Sequence, residues 1–208
     1  MTQEKEVYVG IDLGTTYSCI MEYDPSGRFI EYRTAKNELS IPSVVQISTK
    51  SCSVGSSALN SQTSLDNVIH EVKRLMGKNY DENDKEFMSI IEKMPNKIVS
   101  TVDKKVGVEI ILNQKEKQIQ SQTFLPEQIS ALVLCKLKES VERVHGKDCK
   151  IKAVVGVPAI FGDSERQATI NAMNIAGIEM IDMVNEPSAA AKTYKMDNDG
   201  LLFVFDFG

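Results

Sequence analysis

Long apolar runs are missing from this chain of 208 residues. The longest, Ala131–Cys135 and Leu201–Phe205, have five residues each, far below the roughly 20 that a membrane-spanning helix needs, so no membrane partner is expected. The amino terminus, Met1-Thr2-Gln3-Glu4-Lys5-Glu6, is polar and lacks the apolar centre of a secretory leader; a cytoplasmic location is expected. Basic charge is not in excess either. The 24 Lys+Arg face 29 Asp+Glu for a net charge of −5, which leaves no positive field to hold nucleic acid, and no nucleic-acid partner is expected. Cysteine and histidine are scarce. Cys19, Cys52, Cys135 and Cys149 lie far apart, with no Cys-x-x-Cys pair and no histidine cluster to complete a zinc site, so reduced thiols are expected. The two histidines, His70 and His145, fall in stretches that read as helix or helix end. They read as solvated helix residues and leave a Ser/His/Asp or Cys/His nucleophilic apparatus almost nothing to build on.

What is present is an ordinary globular composition, 42% hydrophobic and 25% charged, enough for a packed core. Val7–Asp12 alternates and is rich in β-branched residues; after Leu13-Gly14-Thr15-Thr16 comes the apolar stretch Tyr17–Met21, and after Asp24-Pro25-Ser26-Gly27 the segment Arg28–Arg33. This predicts an antiparallel meander of three strands. From about Ser40 to Gln122 the sequence is more polar and reads as an insertion, with helix-like stretches around Asn67–Met76 and Asn83–Met94 and strand-like Lys97–Val102 and Val106–Leu112. Pro126 suits a first helical turn, and Ile129, Leu132, Val133, Leu137, Val141 and Val144 repeat at helical spacing as far as Gly146. Next come a strand Ile151–Val157, a helix from about Asp163 to Ala176 stopped by Gly177, a strand of about Ile178–Val184, and a short helix Ser188–Tyr194. A further strand is expected over Leu201–Phe207. Its sequence repeats the order of Val7–Gly14, apolar strand, aspartate, apolar residue, glycine, which fits either a duplicated fold whose second copy is beginning or a chance recurrence of a common turn.

Asp12-Leu13-Gly14-Thr15-Thr16 puts a carboxylate at a strand end, followed by a glycine turn with two hydroxyls. Backbone N–H groups of such a turn can hold phosphate, and the aspartate can hold a hydrated Mg²⁺ beside it; an ordinary hairpin turn reads the same way. No Gly-Lys-Ser/Thr comes after it, so this is not a P-loop, and no Gly-x-Gly-x-x-Gly occurs. Glu186 and Asp206 stand at the exits of two other expected strands, where α/β sheets form their ligand crevice. Three converging carboxylates would call for a divalent cation; alternatively, Glu186 caps a helix. Lys73, on an expected amphipathic helix, reads in isolation as a solvated cation.

Taken together, Val9–Ser18, Val72–Gly77, Val157-Pro158-Ala159, Glu165–Thr169, Ala176-Gly177 and Asn185–Ala191 resemble the N-terminal nucleotide-binding domain of the 70-kilodalton heat-shock (DnaK-type) chaperones. The resemblance covers essentially the whole chain, while the chain covers only part of that domain. It implies an α/β fold of the actin-like, ribonuclease H type, with two lobes of duplicated origin around a nucleotide cleft. This chain would be the first lobe: residues 1–39 and 116–190 its core subdomain, 40–115 an inserted α+β subdomain, and 191–208 the start of the second lobe. The implied cofactors are ATP/ADP and Mg²⁺. Asp12 would hold the metal through water, and Gly14, Thr15, Thr16 and Tyr17 would touch the β- and γ-phosphates. Lys73 would orient the attacking water, with Thr15 beside it among the catalytic groups. Glu186 and Asp206 would complete the metal's hydrated shell, Asp206 also helping to activate the water. Pro158 and Arg166 match positions that relay nucleotide state to a peptide-binding domain.

The same resemblance implies, for the full-length protein, unfolded polypeptide, a J-domain co-chaperone and a nucleotide-exchange factor as partners. Ile160 stands where the family has tyrosine, Gly162 where it has asparagine, and Asn37–Ile41 where an Arg-Thr-Thr run is usual; these departures bear on allosteric coupling and point to a divergent member. The rest of the second phosphate loop and the adenosine pocket are not in these residues, so by themselves they are expected to bind ATP poorly or not at all and to be inactive. Leu201–Phe207, without a sheet to join, is expected to promote self-association or to be poorly ordered. Two readings remain: an ATP-hydrolysing chaperone module, or a scaffold that binds protein partners without turnover. A sugar kinase of the same superfamily is disfavoured by Lys73 and by Asn185–Ala191.

Overall fold

In the computed structural model, which describes residues 5–24, 26–61, 67–115, 118–193 and 203–204, strand β1 (Glu6–Leu13) buries Val7, Val9, Ile11 and Leu13 and turns Tyr8, Gly10 and Asp12 the other way. The period of two has a core under one side of the strand only. β2 (Tyr17–Tyr23) and β3 (Phe29–Glu31) run antiparallel beside it, completing the expected meander, and β4 (Ser40–Pro42) pairs with the first residues of β2. Much later in the chain, β11 (Lys150–Val157) joins β1 in parallel and β12 (Glu179–Asn185) joins β11 in parallel. The sheet order is therefore β12-β11-β1-β2-β3.

Two helices cover the buried face. α3 (Pro126–His145) starts with proline, which has no N–H to leave unsatisfied. The Gln128 side chain accepts from the Leu125 N–H at 2.9 Å, and Gly146, at φ 91°, ends the helix where expected. α4 (Asp163–Ile175) connects β11 to β12, carries Asp163 and Glu165 in its first turn, and stops before Gly177 at φ 66°. Ile129, Leu134 and Val141 of α3 and Ala172 and Met173 of α4 share one continuous core with β1 and β11. The side of the sheet bearing Tyr8, Gly10 and Asp12 faces away from that core.

The segment between β4 and α3 forms two three-stranded sheets. One contains β5 (Val45–Ile47), β6 (Cys52–Val54) and β7 (Val68–Ile69), with the single turn α1 (Ser56–Leu59) after β6. The other contains β8 (Lys97–Ser100), β9 (Val106–Lys115) and β10 (Gln118–Phe124), preceded by α2 (Lys85–Ile91), whose first amides at Glu86 and Phe87 donate to Asp84. The helix expected over 67–76 is absent. Asn67 uses its side-chain amide as a strand backbone would, donating to Ile111 O at 2.7 Å and accepting from Ile111 N at 3.1 Å. Val68 and Ile69 then pair with β5, and Glu71 adopts the left-handed conformation, φ 51°, so the chain can make only a 3-10 turn, Val72–Leu75. Lys73 sits on that turn rather than on an amphipathic helix, and His70 lies outside any helix. β10, which its glutamine-rich sequence conceals, is held by pairing with β9. The last described helix, α5 (Glu186–Thr193), begins two residues before the expected Ser188. The strand expected over Leu201–Phe207 lies outside the described residues except for Phe203 and Val204, which belong to no regular element.

One polar cluster interrupts the core. Glu22 follows Ser18 and Ile20 on the buried face of β2, and its carboxylate accepts from the Tyr32 hydroxyl and lies 3.0 Å from His145 Nε2. The same nitrogen is 2.6 Å from the Tyr32 hydroxyl, and Nδ1 is buried without a hydrogen-bond partner. Burial, reinforced by Glu22, pushes the Tyr32 phenol well above its usual range. His145 is thus an interior network residue that ties the end of α3 to β2, not the solvated histidine its position implied.

The turn between β2 and β3 depends on Asp24, whose Oδ1 accepts from the Ser26 hydroxyl at 2.6 Å and from the Arg28 N–H at 3.0 Å. These bonds, the serine's first, lower the Asp24 carboxyl from 3.8 to about 2. A lowered carboxyl contributes its full stabilisation above the unfolded value and loses it as the pH falls through the folded one. A carbon-detected NMR titration of Asp24 is expected to show a midpoint near 2; a midpoint at the ordinary aspartate value would contradict the turn geometry.

Candidate functional site

The open side of the sheet is the wall of a cleft of about 1240 Å³. Its floor begins with the loop that leaves β1. A Cβ on Gly14 would stand 2.1 Å from the Tyr17 carbonyl oxygen, so no other residue lets the loop close this tightly. Ser43, buried after β4, holds the loop from below. Its hydroxyl donates to Gly14 O at 2.8 Å, its N–H donates to Thr16 O at 2.8 Å, and it is 2.8 Å from the buried Ser18 hydroxyl. With the carbonyls engaged on the inner side, Asp12, Gly14, Thr15, Thr16 and Tyr17 all line the cleft. Asp12, Thr16 and Tyr17 are exposed and Gly14 and Thr15 half-buried. Ser43 itself carries no sequence signal; it is one serine between Pro42 and Val44.

Lys73 reaches the same cleft from the segment between β4 and α3 and Glu186 from the end of β12. Lys73 Nζ lies 2.7 Å from Glu186 Oε1, with the two side chains only 10% and 21% exposed. The ammonium also stands 5.8 Å from the centroid of the Phe161 ring, within range of a cation–π contact. The reading of Lys73 as a solvated cation is thus overturned. Its 3-10 turn is itself fixed by the backbone just beyond it. Gly77 has φ 68°, and a Cβ there would come within 2.5 Å of the Ser164 carbonyl and the Glu165 nitrogen at the start of α4, so the chain lies directly against that helix.

Pro158 ends β11 and lines the cleft. Arg166 is not among the lining residues. Its guanidinium donates to Phe161 O at 3.1 Å and to Asn185 Oδ1 at 2.7 Å, tying the turn after Pro158 to the residue before Glu186. Asp206 lies outside the described residues. Asp12 and Glu186 share the cleft, but among the described residues no three His, Cys, Asp or Glu side chains stand close enough to hold a metal directly. Cys19, opposite Asp12 in the β1–β2 pairing, also lines the cleft, although no motif in the sequence marks it. Burial first, and the Asp12 carboxylate second, push its thiol above the usual value, so it stays protonated at neutral pH and is a poor nucleophile.

This arrangement can receive an anion. The loop after β1 offers hydroxyls, Lys73 supplies a positive charge that an incoming oxyanion would share with Glu186, and the carboxylates favour a ligand accompanied by a hard cation. Among the described residues no helix is long and apolar enough to cross a membrane.

Residues 8–208 match the family model described as Hsp70 protein. Over 207 residues the chain is 36% identical to each of two ribosome-associated molecular chaperones of the SSB type from Saccharomyces cerevisiae, with 96% of this chain and 32% of each relative covered. The same identity and coverage relate it to the ribosome-associated molecular chaperone SSB of Candida glabrata. The chain spans about a third of the length of these curated relatives.

Because Gly77 combines a left-handed backbone with contact against α4, Gly77→Ala is expected to lower unfolding stability by about 2 kcal/mol or more. Urea denaturation checks this, and an unchanged midpoint would show that the loop does not press on the helix.

Proposed function

The chain belongs to the Hsp70 family, and from that premise we propose that its cleft is the phosphate-binding half of an ATP-hydrolysing module. Its α/β architecture is the actin-like ATPase fold of that family. The observation that carries the proposal is the meeting of Lys73 and Glu186 at 2.7 Å within the cleft lined by Asp12 and the Gly14–Tyr17 loop. These groups come from three distant parts of the chain, and a structural ion pair alone needs no tight glycine turn beside it.

In this reading Gly14, Thr15, Thr16 and Tyr17 donate backbone and hydroxyl hydrogens to the β- and γ-phosphate oxygens of ATP or ADP. Lys73 balances charge on the γ-phosphate and orients the attacking water, with Thr15 beside it. Asp12, an exposed carboxylate on the cleft floor, has the oxygen chemistry that suits Mg²⁺, held through water together with Glu186 and Asp206. A bound magnesium ion supplies charge neutralisation across the phosphates. Asp206 also helps to accept the water's proton. Pro158 and Arg166 transmit the occupancy of the cleft: Arg166 holds the Phe161 carbonyl and Asn185 together, so movement of Glu186 is felt at the turn after Pro158.

Residues 1–39 and 116–190 act as the core of the first lobe, 40–115 as its insertion and 191–208 as the start of the second. Because the relatives are about three times as long, adenosine recognition belongs to chain that these residues do not contain. We place the full-length protein in the cytoplasm as a chaperone whose nucleotide state governs binding of unfolded polypeptide, in concert with a J-domain co-chaperone and a nucleotide-exchange factor.

In a chain carrying both lobes, Lys73→Ala should reduce the rate of Mg-ATP hydrolysis by roughly a hundredfold while leaving nucleotide affinity within a few-fold. Single-turnover hydrolysis and equilibrium titration read the two quantities separately, and equal turnover by variant and wild type would refute the assignment.

A further inference from the structure

Ser43 follows β4, the strand that pairs with the start of β2, and lies 4% exposed beneath the loop that leaves β1. It grips that loop by two carbonyls, its hydroxyl donating to Gly14 O and its N–H to Thr16 O, both at 2.8 Å. A carbonyl only accepts, so the one hydroxyl hydrogen of Ser43 goes to Gly14. In the contact of 2.8 Å between the Ser18 and Ser43 hydroxyls, Ser18 is therefore the donor. The hydrogen bonds run in one direction, from Ser18 to Ser43 to Gly14. Ser18 is itself 1% exposed, so neither serine can reach a ligand in the cleft.

Peptide planarity carries this arrangement to the other side of the loop. In a trans peptide the C=O of one residue and the N–H of the next point in opposite directions. Fixing Gly14 O thus turns the Thr15 N–H away from Ser43, and fixing Thr16 O does the same for the Tyr17 N–H. Both Thr15 and Tyr17 line the cleft. We propose that Ser43 is a positioning residue for phosphate: from beneath the loop it holds two peptide planes so that the Thr15 and Tyr17 N–H groups are aimed before a phosphate arrives. The inference rests on the reading of the cleft as a phosphate site, and it adds what sets that site's affinity. Extending the strand pairing of β4 needs only the backbone bond to Thr16. The hydroxyl relay is additional, and a buried packing position would be filled at least as well by an apolar side chain, which would leave Gly14 O free to turn. Donors fixed in advance cost little to order when the ligand binds.

The test is equilibrium dialysis of Mg-ADP and of adenosine, which lacks phosphate, against a chain carrying both lobes. Ser43→Ala should weaken Mg-ADP binding roughly tenfold while leaving adenosine affinity within about twofold. Ser18→Ala removes an equally buried hydroxyl but leaves the bond to Gly14, and should keep Mg-ADP affinity within about threefold of wild type. Ser43→Cys, similar in size but a weak donor, gives the same reading where the alanine variant does not fold, and should also weaken Mg-ADP selectively. Mg-ADP affinity unchanged in the Ser43 variants, equal losses for Ser43→Ala and Ser18→Ala, or a loss shared equally by adenosine would each overturn the proposal. Equal affinity of the wild type for Mg-ADP and adenosine would overturn it too, and because that result appears without any substitution it marks the failure of the phosphate reading itself.

Discussion

The pairing of Lys73 with Glu186 is the contact on which the site depends. The two residues are 113 positions apart, one on a 3-10 turn between β7 and α2 and the other at the exit of β12. Their side chains are largely withdrawn from water. Removing one partner would leave the other charge in a poorly solvated place, at a cost of about 3 kcal/mol. The pair therefore acts as a clasp between two segments distant in the chain, and an entering oxyanion is one of the few ligands that could open it without leaving the ammonium unpaired.

Two close approaches of backbone shape the cleft around that clasp. Gly14 lets the loop after β1 fold back on Tyr17, and Gly77 lets the turn bearing Lys73 lie on the first residues of α4. α4 in turn presents Arg166, which bridges Phe161 and Asn185, while Phe161 stands beside the Lys73 ammonium. Lys73, α4, the turn after Pro158 and the end of β12 thus form a closed ring of contacts around Glu186. Such a ring can relay a change at the cleft to α4 because none of its members shifts without disturbing the next.

Where burial on one side decided the structure, local sequence was a sufficient guide. The alternation of Val7–Leu13 and the helical spacing of Ile129–Val141 each state which side faces the core, and both elements are where their patterns place them. Long-range pairing left no such trace. β10 is a strand because β9 offers it partners, and Asn67 overrides a helix-like pattern through bonds to Ile111, 44 residues away. Of the site, the Asp12–Tyr17 loop and Glu186 were visible as strand ends. Lys73 was visible only through family resemblance, since nothing in its surroundings distinguishes it from a surface lysine. Ser43, Cys19 and Phe161 acquire meaning only from neighbours brought together by the sheet and its two helices.

Recognition of a nucleotide's phosphates through a metal held by Asp12 is the property that the loop, the clasp and the ring of contacts would jointly serve. Calorimetric titration of ATP into a chain with both lobes, with and without magnesium and with Asp12→Asn, measures it. Magnesium should strengthen binding by roughly tenfold or more in the wild type, and Asp12→Asn should remove most of that gain. Affinity indifferent to both magnesium and the substitution would contradict this role of the cleft.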